Sequence, residues 1–324
     1  MTERTRVRMP DAKDEFNERV NRLLREGRDL PEEVIRGMIR DLEAARREVL
    51  ARLASLPVRA DGTPGYTRWQ LERAEQEMAR VLDELTRRLA ADVTLGQRRG
   101  WQIGQQVVEE PFGRAGFGFT FGRLSFEDLA AAQELAAMRI SQIGVETRGQ
   151  IAIALRRSLS GGKPFHETIR EIAGALGGEE KGPPSLWSAA GDRAFRIAAT
   201  EIPTIQSVAS ASRINQMAAR LGKDAVYKRW AHHPVARVPR IGHVLLGRKP
   251  AIPTNERFEN PETGALLRFP HDPEAVNPAP KVSRWTVASE VIQCSCSVAP
   301  FIVANSELDK QFERSRSRAL GIAA

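Results

Sequence analysis

The stretch that decides the fold opens with RIAATE, Arg196 to Glu201, and closes with QCSC, Gln293 to Cys296. Between them stand Lys228-Arg229-Trp230, His232-His233, Arg237, Arg240, His243 and Leu246-Gly247. A proline-rich passage then leads to Phe269-Pro270-His271-Asp272-Pro273. Nine of the 19 prolines fall between Pro234 and Pro280, which argues against long helices there. The short apolar runs Val244-Leu245-Leu246, Ala265-Leu266-Leu267 and Val291-Ile292 predict a small irregular sheet instead. Four of the 5 histidines and both cysteines lie in this segment, so chemically specific work is expected here.

Upstream the texture is helical. A helix over about 189–221 carries Phe195, Ile197, Ile202, Ile205, Val208 and Met217, and Pro203 is expected to kink it. Glu179 to Pro184 reads as an interior hinge. Residues 12–27 form a charged helix with Phe16, Val20, Leu23 and Leu24 on one side, and Asp29-Leu30-Pro31-Glu32-Glu33 reads as a fresh helix start. Between about 66 and 95, Met78, Leu82, Leu85 and Leu89 recur in steps of four and three over too short a span for an extended coiled coil. An antiparallel pair of long helices follows from that. Residues 111–124 place Phe112, Phe117, Phe119 and Phe121 among small residues, as a short strand or apolar loop would, and their glycines do not match a phosphate-binding fingerprint. Ser125 to Asp128 opens a further helix through Leu155, and a short one follows from Phe165 to Leu176. The fold class is α+β: a mainly helical N-terminal region with long antiparallel helices over 1–180, a small irregular α+β C-terminal domain over 181–300, and a charged tail over 301–324.

Composition bounds the partners. A chain of 324 residues has room for two cores, and no apolar run approaches the roughly 18–20 residues that span a bilayer. The polar start of the chain predicts synthesis in the cytoplasm and no membrane partner. A net charge of +8 favours phosphate-rich partners, while an aromatic content of 6% gives little support to base stacking on single strands.

Two cysteines at i and i+2 are too strained to bridge each other, and on a strand they project to one face. With His243 and His271, or with His233 or Asp272 as substitutes, Cys294 and Cys296 would form a tetrahedral zinc site; otherwise they are small core residues. Lys228, Arg229, Arg237, Arg240, Arg248 and Lys249 lie in a segment without acids and predict a patch that meets duplex DNA phosphates without reading bases. Arg240 and His243 would alternatively anchor loops by bonding carbonyls. A hydrolytic alternative uses His232, His233 and His243 with Arg237 and Arg240 as the base and phosphate clamp of a metal-independent nuclease. Glu201, with Arg196 and Arg213 nearby in sequence, is expected to form an ion pair that docks its helix on the C-terminal domain.

The ordered set Arg196, Thr200-Glu201, Lys228-x-Trp230, Arg240-x-x-His243-x-x-x-Gly247, Phe258 and Gly264, Pro270 to Pro273 and Cys294-x-Cys296 resembles the phage Mu F-like head morphogenesis proteins, the minor head proteins of tailed phages. Ala199, the run His232 to Ala236 and Ser295 depart from the family's usual residues. The resemblance covers about the last third and implies a virion protein at the portal vertex or head interior. Such a protein associates with the portal and procapsid components, accompanies the DNA, and carries no established enzymatic reaction.

Overall fold

The computed structural model describes residues 12–59, 65–114, 121–122, 124, 126–160, 166–169, 172, 186–233, 240–283, 285–292, 294–303, 306 and 310. The expected hinge at Glu179 to Pro184, Phe117, Phe119, Arg237 and most of the tail lie outside the described residues. The chain is α+β. Four long helices, α1 (Ala12–Ala54), α2 (Arg68–Arg114), α3 (Glu127–Leu159) and α4 (Leu186–Leu221), precede a region of short elements. These are β1 (Val226–Ala231), α5 (Ile241–Arg248), β2 (Ile252–Pro253), β3 (Phe258–Glu259), β4 (Leu266–Leu267), α6 (Val287–Val291) and β5 (Ser297–Ile302).

Two helices run further than their local signals predict. α1 continues through Pro31, where a new start is expected, because buried apolar residues such as Leu30 and Met38 lie on both sides of it. α2 runs on past 95 because Val93, Gln97, Trp101, Gly104, Val108 and Phe112, all buried, still advance in steps of four and three. Two of the predicted strands are also helical: Val244 to Leu246 lies in α5, and Val291 ends α6. Leu246 and His243 then share one buried helix face, an arrangement a period-two reading cannot give.

The chain divides into two compact units, each discontinuous in sequence: Met1–Leu30, Gln97–Leu129 and Ile202–Ala324 form the first, and Pro31–Gly96 with Ala130–Glu201 the second. The second unit is a helical bundle. Arg52–Glu77 and Arg88–Asp41 tie α1 to α2, Arg156–Glu75 and Arg148–Asp83 tie α2 to α3, and Arg193–Glu146 and Arg139–Glu201 tie α3 to α4. In every pair of helices one partner climbs as the other descends, so successive helices are antiparallel. Most of these pairs are exposed and set register more than stability. The apolar interior, including Met38, Val49, Met78, Leu82, Leu85 and Ile140, supplies the main driving force.

In the first unit, α2 and α4 come into near backbone contact. A Cβ on Gly104 would stand 2.3 Å from the Gln206 carbonyl oxygen and 2.8 Å from the Ala209 Cβ, and the Ser210 hydroxyl donates to the Gly104 carbonyl at 3.0 Å. Phe16 of α1 meets Phe112 of α2 edge to face at 4.9 Å. The sheet of this unit is antiparallel in the order β2-β1-β5, with β1 central; Trp230 faces Val298 and Lys228 faces Pro300 across the β1–β5 ladder. A second ribbon pairs β3 with β4. Burial alternates strictly along β1, so Val226, Lys228 and Trp230 point inward.

The close approach of α2 and α4 is testable at one position. Gly104→Ala is expected to cost about 1–3 kcal/mol through overpacking. Gly113→Ala, where an added Cβ meets nothing within 4 Å, should be neutral or stabilising. Urea denaturation of both variants checks the contrast.

Candidate metal centre

Three residues from two distant segments meet beside the sheet. His243 comes from the first turn of α5, and Cys294 and Cys296 from the extended run that enters β5. One ring nitrogen of His243 and the two sulfurs lie within 4.8 Å of one another, and all three residues are buried. The His243 Nδ1 stands 3.2 Å from the Cys294 Sγ and 3.9 Å from the Cys296 Sγ. Two soft thiolates and an imidazole are a donor set suited to holding a metal ion.

Around this group lies a ring of oriented donors. The His243 Nε2 meets a Glu290 carboxylate oxygen at 2.9 Å. Glu290 also accepts from the Asn260 amide at 2.9 Å, the Thr263 hydroxyl at 2.6 Å and the Trp285 indole at 3.0 Å. A capping box at Thr286 and Ser289 starts α6 and so places Glu290 inward. Trp230 packs edge-on against the His243 ring at 5.0 Å and against Phe258 at 5.3 Å. A carboxylate on the far nitrogen of an imidazole fixes its tautomer and raises its basicity, as it does for metal-bound histidines.

The electrostatics follow from these contacts. Burial pulls the His243 pKa down, but the Cys294 sulfur and the Glu290 carboxylate outweigh it and hold the pKa up at about 9. Burial pushes Glu290 up, yet its bonds from His243, Thr263, Trp285 and Asn260 bring it down to about 2. The cysteines split. Burial opposes ionisation of Cys294, but the Cys296 thiol, His271 and His243 hold its pKa well below the ordinary thiol value. Cys296 is pushed well above that value by its bond to Cys294 and by burial. A bound dication would allow both sulfurs to ionise.

The same atoms can be read as a cysteine nucleophile, a base and an orienting acid in the order Cys294, His243, Glu290. Burial argues against that use: Cys294 is 5% exposed, His243 1% and Glu290 1%, so no substrate reaches the sulfur while the fold is closed.

The structure separates the other residues singled out in the sequence. His271 stays outside the three-residue group. It adopts a left-handed backbone with φ 65, and its ring spans the carbonyls of Cys296 at 3.0 Å and Val291 at 3.4 Å, which makes it a clamp on the cysteine segment. Asp272 accepts from the Arg268 backbone, the Arg268 guanidinium and the Glu274 backbone, and is not available to a metal. Arg240 donates to the Ile292 carbonyl, the loop-anchoring role weighed against phosphate binding. Lys228 leaves the phosphate patch: it is 4% exposed, and its Nζ donates to the Arg268 carbonyl at 2.8 Å. Glu201 pairs with Arg139 of α3; Arg196 is exposed, and Arg213 bonds Glu109, Gln105 and the Gly122 carbonyl. The expected docking pair onto the C-terminal domain is therefore not formed. Thr200 is half-buried in α4.

A separate cleft of about 1050 Å³ opens on the other face of β1. Arg229, Arg248 and Lys249 line it, joined by Arg25 and Arg28 of α1, with His232 and His233 in its wall. Arg28 pairs with Asp29 at 2.7 Å, and among the described residues no carboxylate lines the cleft. Burial lowers the pKa of Arg229, and that of His233 falls to about 4 through burial and the nearby Arg28. Sequence reasoning missed Arg25 and Arg28, which read there as one solvated helix face, and Glu290, which no periodicity marks. Asn260 carried a usable signal: Asn-Pro-x-Thr-Gly is turn chemistry, and its side chain caps the turn at Glu262 and Thr263.

Lys228 provides a pH test. Burial lowers its pKa from 10.5 to about 8, against the pull of Asp272, so the folded state binds this proton more weakly than the unfolded state. Its cationic form opposes folding below pH 8, and the opposition fades as pH rises toward 10.5. Lys228→Met should therefore be more stable than the parent chain by about 1–2 kcal/mol at pH 7. That advantage should shrink steadily between pH 8 and 10 in paired denaturant melts. Compared with protein-family models, curated proteins and solved structures, the chain has no match.

Proposed function

We propose that this chain is a minor head protein of a phage-like particle, acting at the portal vertex in head morphogenesis. In this reading it binds portal and procapsid components and meets double-stranded DNA through phosphates alone. A zinc ion on His243, Cys294 and Cys296 ties its C-terminal region together. The observation that carries the reading is the convergence of the ordered motif. Trp230, His243, Cys294 and Cys296, spread over more than sixty residues, meet in one buried cluster, with Arg240 anchoring a carbonyl beside it and Gly247 leaving room for His232. Motif residues used this way support a folding signature and a structural role. The hydrolytic alternative loses its main base, since His243 is 1% exposed with both ring nitrogens engaged, and Arg240 is held on a carbonyl.

The DNA surface in this reading is the cationic cleft, with Arg25, Arg229 and Arg248 as its freest charges. Each of Arg25→Ala, Arg229→Ala and Arg248→Ala should weaken duplex binding equally across sequences and reduce the slope of log K against log salt by about 1. Lys228→Met, inside the fold, should leave the slope unchanged. Binding that ignores salt would refute the phosphate contact.

The assembly role is tested by mixing the full chain with portal rings and procapsids from the particle that encodes it. Co-sedimentation in few copies per particle is expected, and a chain that stays in the supernatant removes the proposal. Release of nucleotides from duplex DNA or RNA that disappears with His232→Ala or His233→Ala would replace it with the nuclease reading.

A further inference from the structure

A structural zinc ion takes four protein ligands, and the His243, Cys294 and Cys296 group offers three. Nearby groups are already committed. The His271 nitrogens lie on two carbonyls, although the ring also bears on the Cys294 sulfur; Asp272 is filled by Arg268 and Glu274, and Glu290 by four donors. His232 is different. It follows β1, and continued alternation from Trp230 turns it toward the cysteine segment. Its Nδ1 stands 3.5 Å from the Cys296 Sγ.

The neighbouring helix is shaped to admit it. His243 and Gly247 are one turn apart on α5 and share a face. A Cβ on Gly247 would lie 2.6 Å from the His232 Cβ, so only the missing side chain lets His232 stand beside His243. The spacing also fits. With zinc–sulfur and zinc–nitrogen bonds of about 2.3 and 2.0–2.1 Å, a tetrahedron has nitrogen–sulfur edges of about 3.6 Å. Three such edges are present, at 3.2, 3.9 and 3.5 Å. The fourth, from His232 to Cys294, is not formed, since His232 lies outside the group of three; a swing of its half-buried ring at the cleft wall would close it.

We infer that His232 is the fourth ligand, so that the chain holds zinc in a closed site of Cys294, Cys296, His243 and His232. The inference rests on the zinc reading above and adds to it that no coordination position stays open for water or substrate. The metal then joins the end of β1, the start of α5 and the entry to β5.

The test uses the full chain, stripped with a chelator and titrated with cobalt(II), followed by zinc competition. The unaltered chain should bind one equivalent with the intense visible bands of a four-coordinate site. Loss of an outer partner typically costs about 10–100-fold in metal affinity, so loss of a ligand in His232→Asn should cost more than about 100-fold and weaken those bands. His233→Asn should change neither, and His232→Cys should recover four-coordination with a third sulfur. Zinc-edge X-ray absorption on the unaltered chain should show two sulfurs and the ring scattering of two imidazoles, and this result does not depend on how any variant folds. If the parent binds zinc and His232→Asn binds it equally, or if the ring scattering of only one imidazole is seen, His232 is not a ligand and the three-residue site survives. A folded parent chain that binds no zinc removes both.

Discussion

The C-terminal region depends on one buried imidazole held between opposite chemical demands. His243 has a carboxylate on one nitrogen and sulfur on the other, at 2.9 and 3.2 Å, with almost no solvent to screen either. Charges in such a setting are stable only when every partner is present; removing one side of a buried pair typically costs about 3–5 kcal/mol. The loops around it hold those partners in place. Asn260, Thr263 and Trp285 orient the carboxylate, and Arg240 and His271 tie down the carbonyls on either side of the cysteines. A region with so little regular secondary structure adds this polar network to an apolar core that includes Val226, Leu246, Leu267 and Val298.

Much of the helical architecture was legible because apolar spacing is a local signal. Met78, Leu82, Leu85 and Leu89 are all core residues, as their spacing requires. The errors arose where a local signal competes with packing. Pro31 reads as the first turn of a new helix, yet buried residues on both sides carry α1 through it. Val244 to Leu246 reads as a strand, because three apolar residues in a row have no period; placing His243 and Gly247 on one face needs a helix. The cysteines and His243 were legible as a group through their chemistry. His271 was not separable from His232 in the sequence, since a histidine on a carbonyl and a histidine facing sulfur look the same until the chain is folded.

Strand β1 shows how alternation sorts like charges. Lys228 and Arg229 are adjacent and both basic, and a charge count gives them one role. The pleat sends them to opposite faces: Lys228 lies over the Phe258 ring at 5.3 Å, while Arg229 lines the open cleft. The pattern Val226, Lys228, Trp230 held that information, because two strongly apolar residues flank the lysine at a spacing of two. The contribution of α1 to the same cleft could not be read in this way, since it joins residues about two hundred positions apart.

That separation bears on how the chain is made. The first unit gathers Met1–Leu30 with Gln97–Leu129 and Ile202–Ala324, so its first segment is made long before the last of the unit. At about 5–20 residues per second, Leu24 waits on the order of ten seconds or more for the β1 residues that share its cleft. During that interval the nascent helix presents a greasy stripe to the cell. Early pairing with α2, where Phe16 meets Phe112, would shield part of it, and a chain cut short before the last third would have that cover alone.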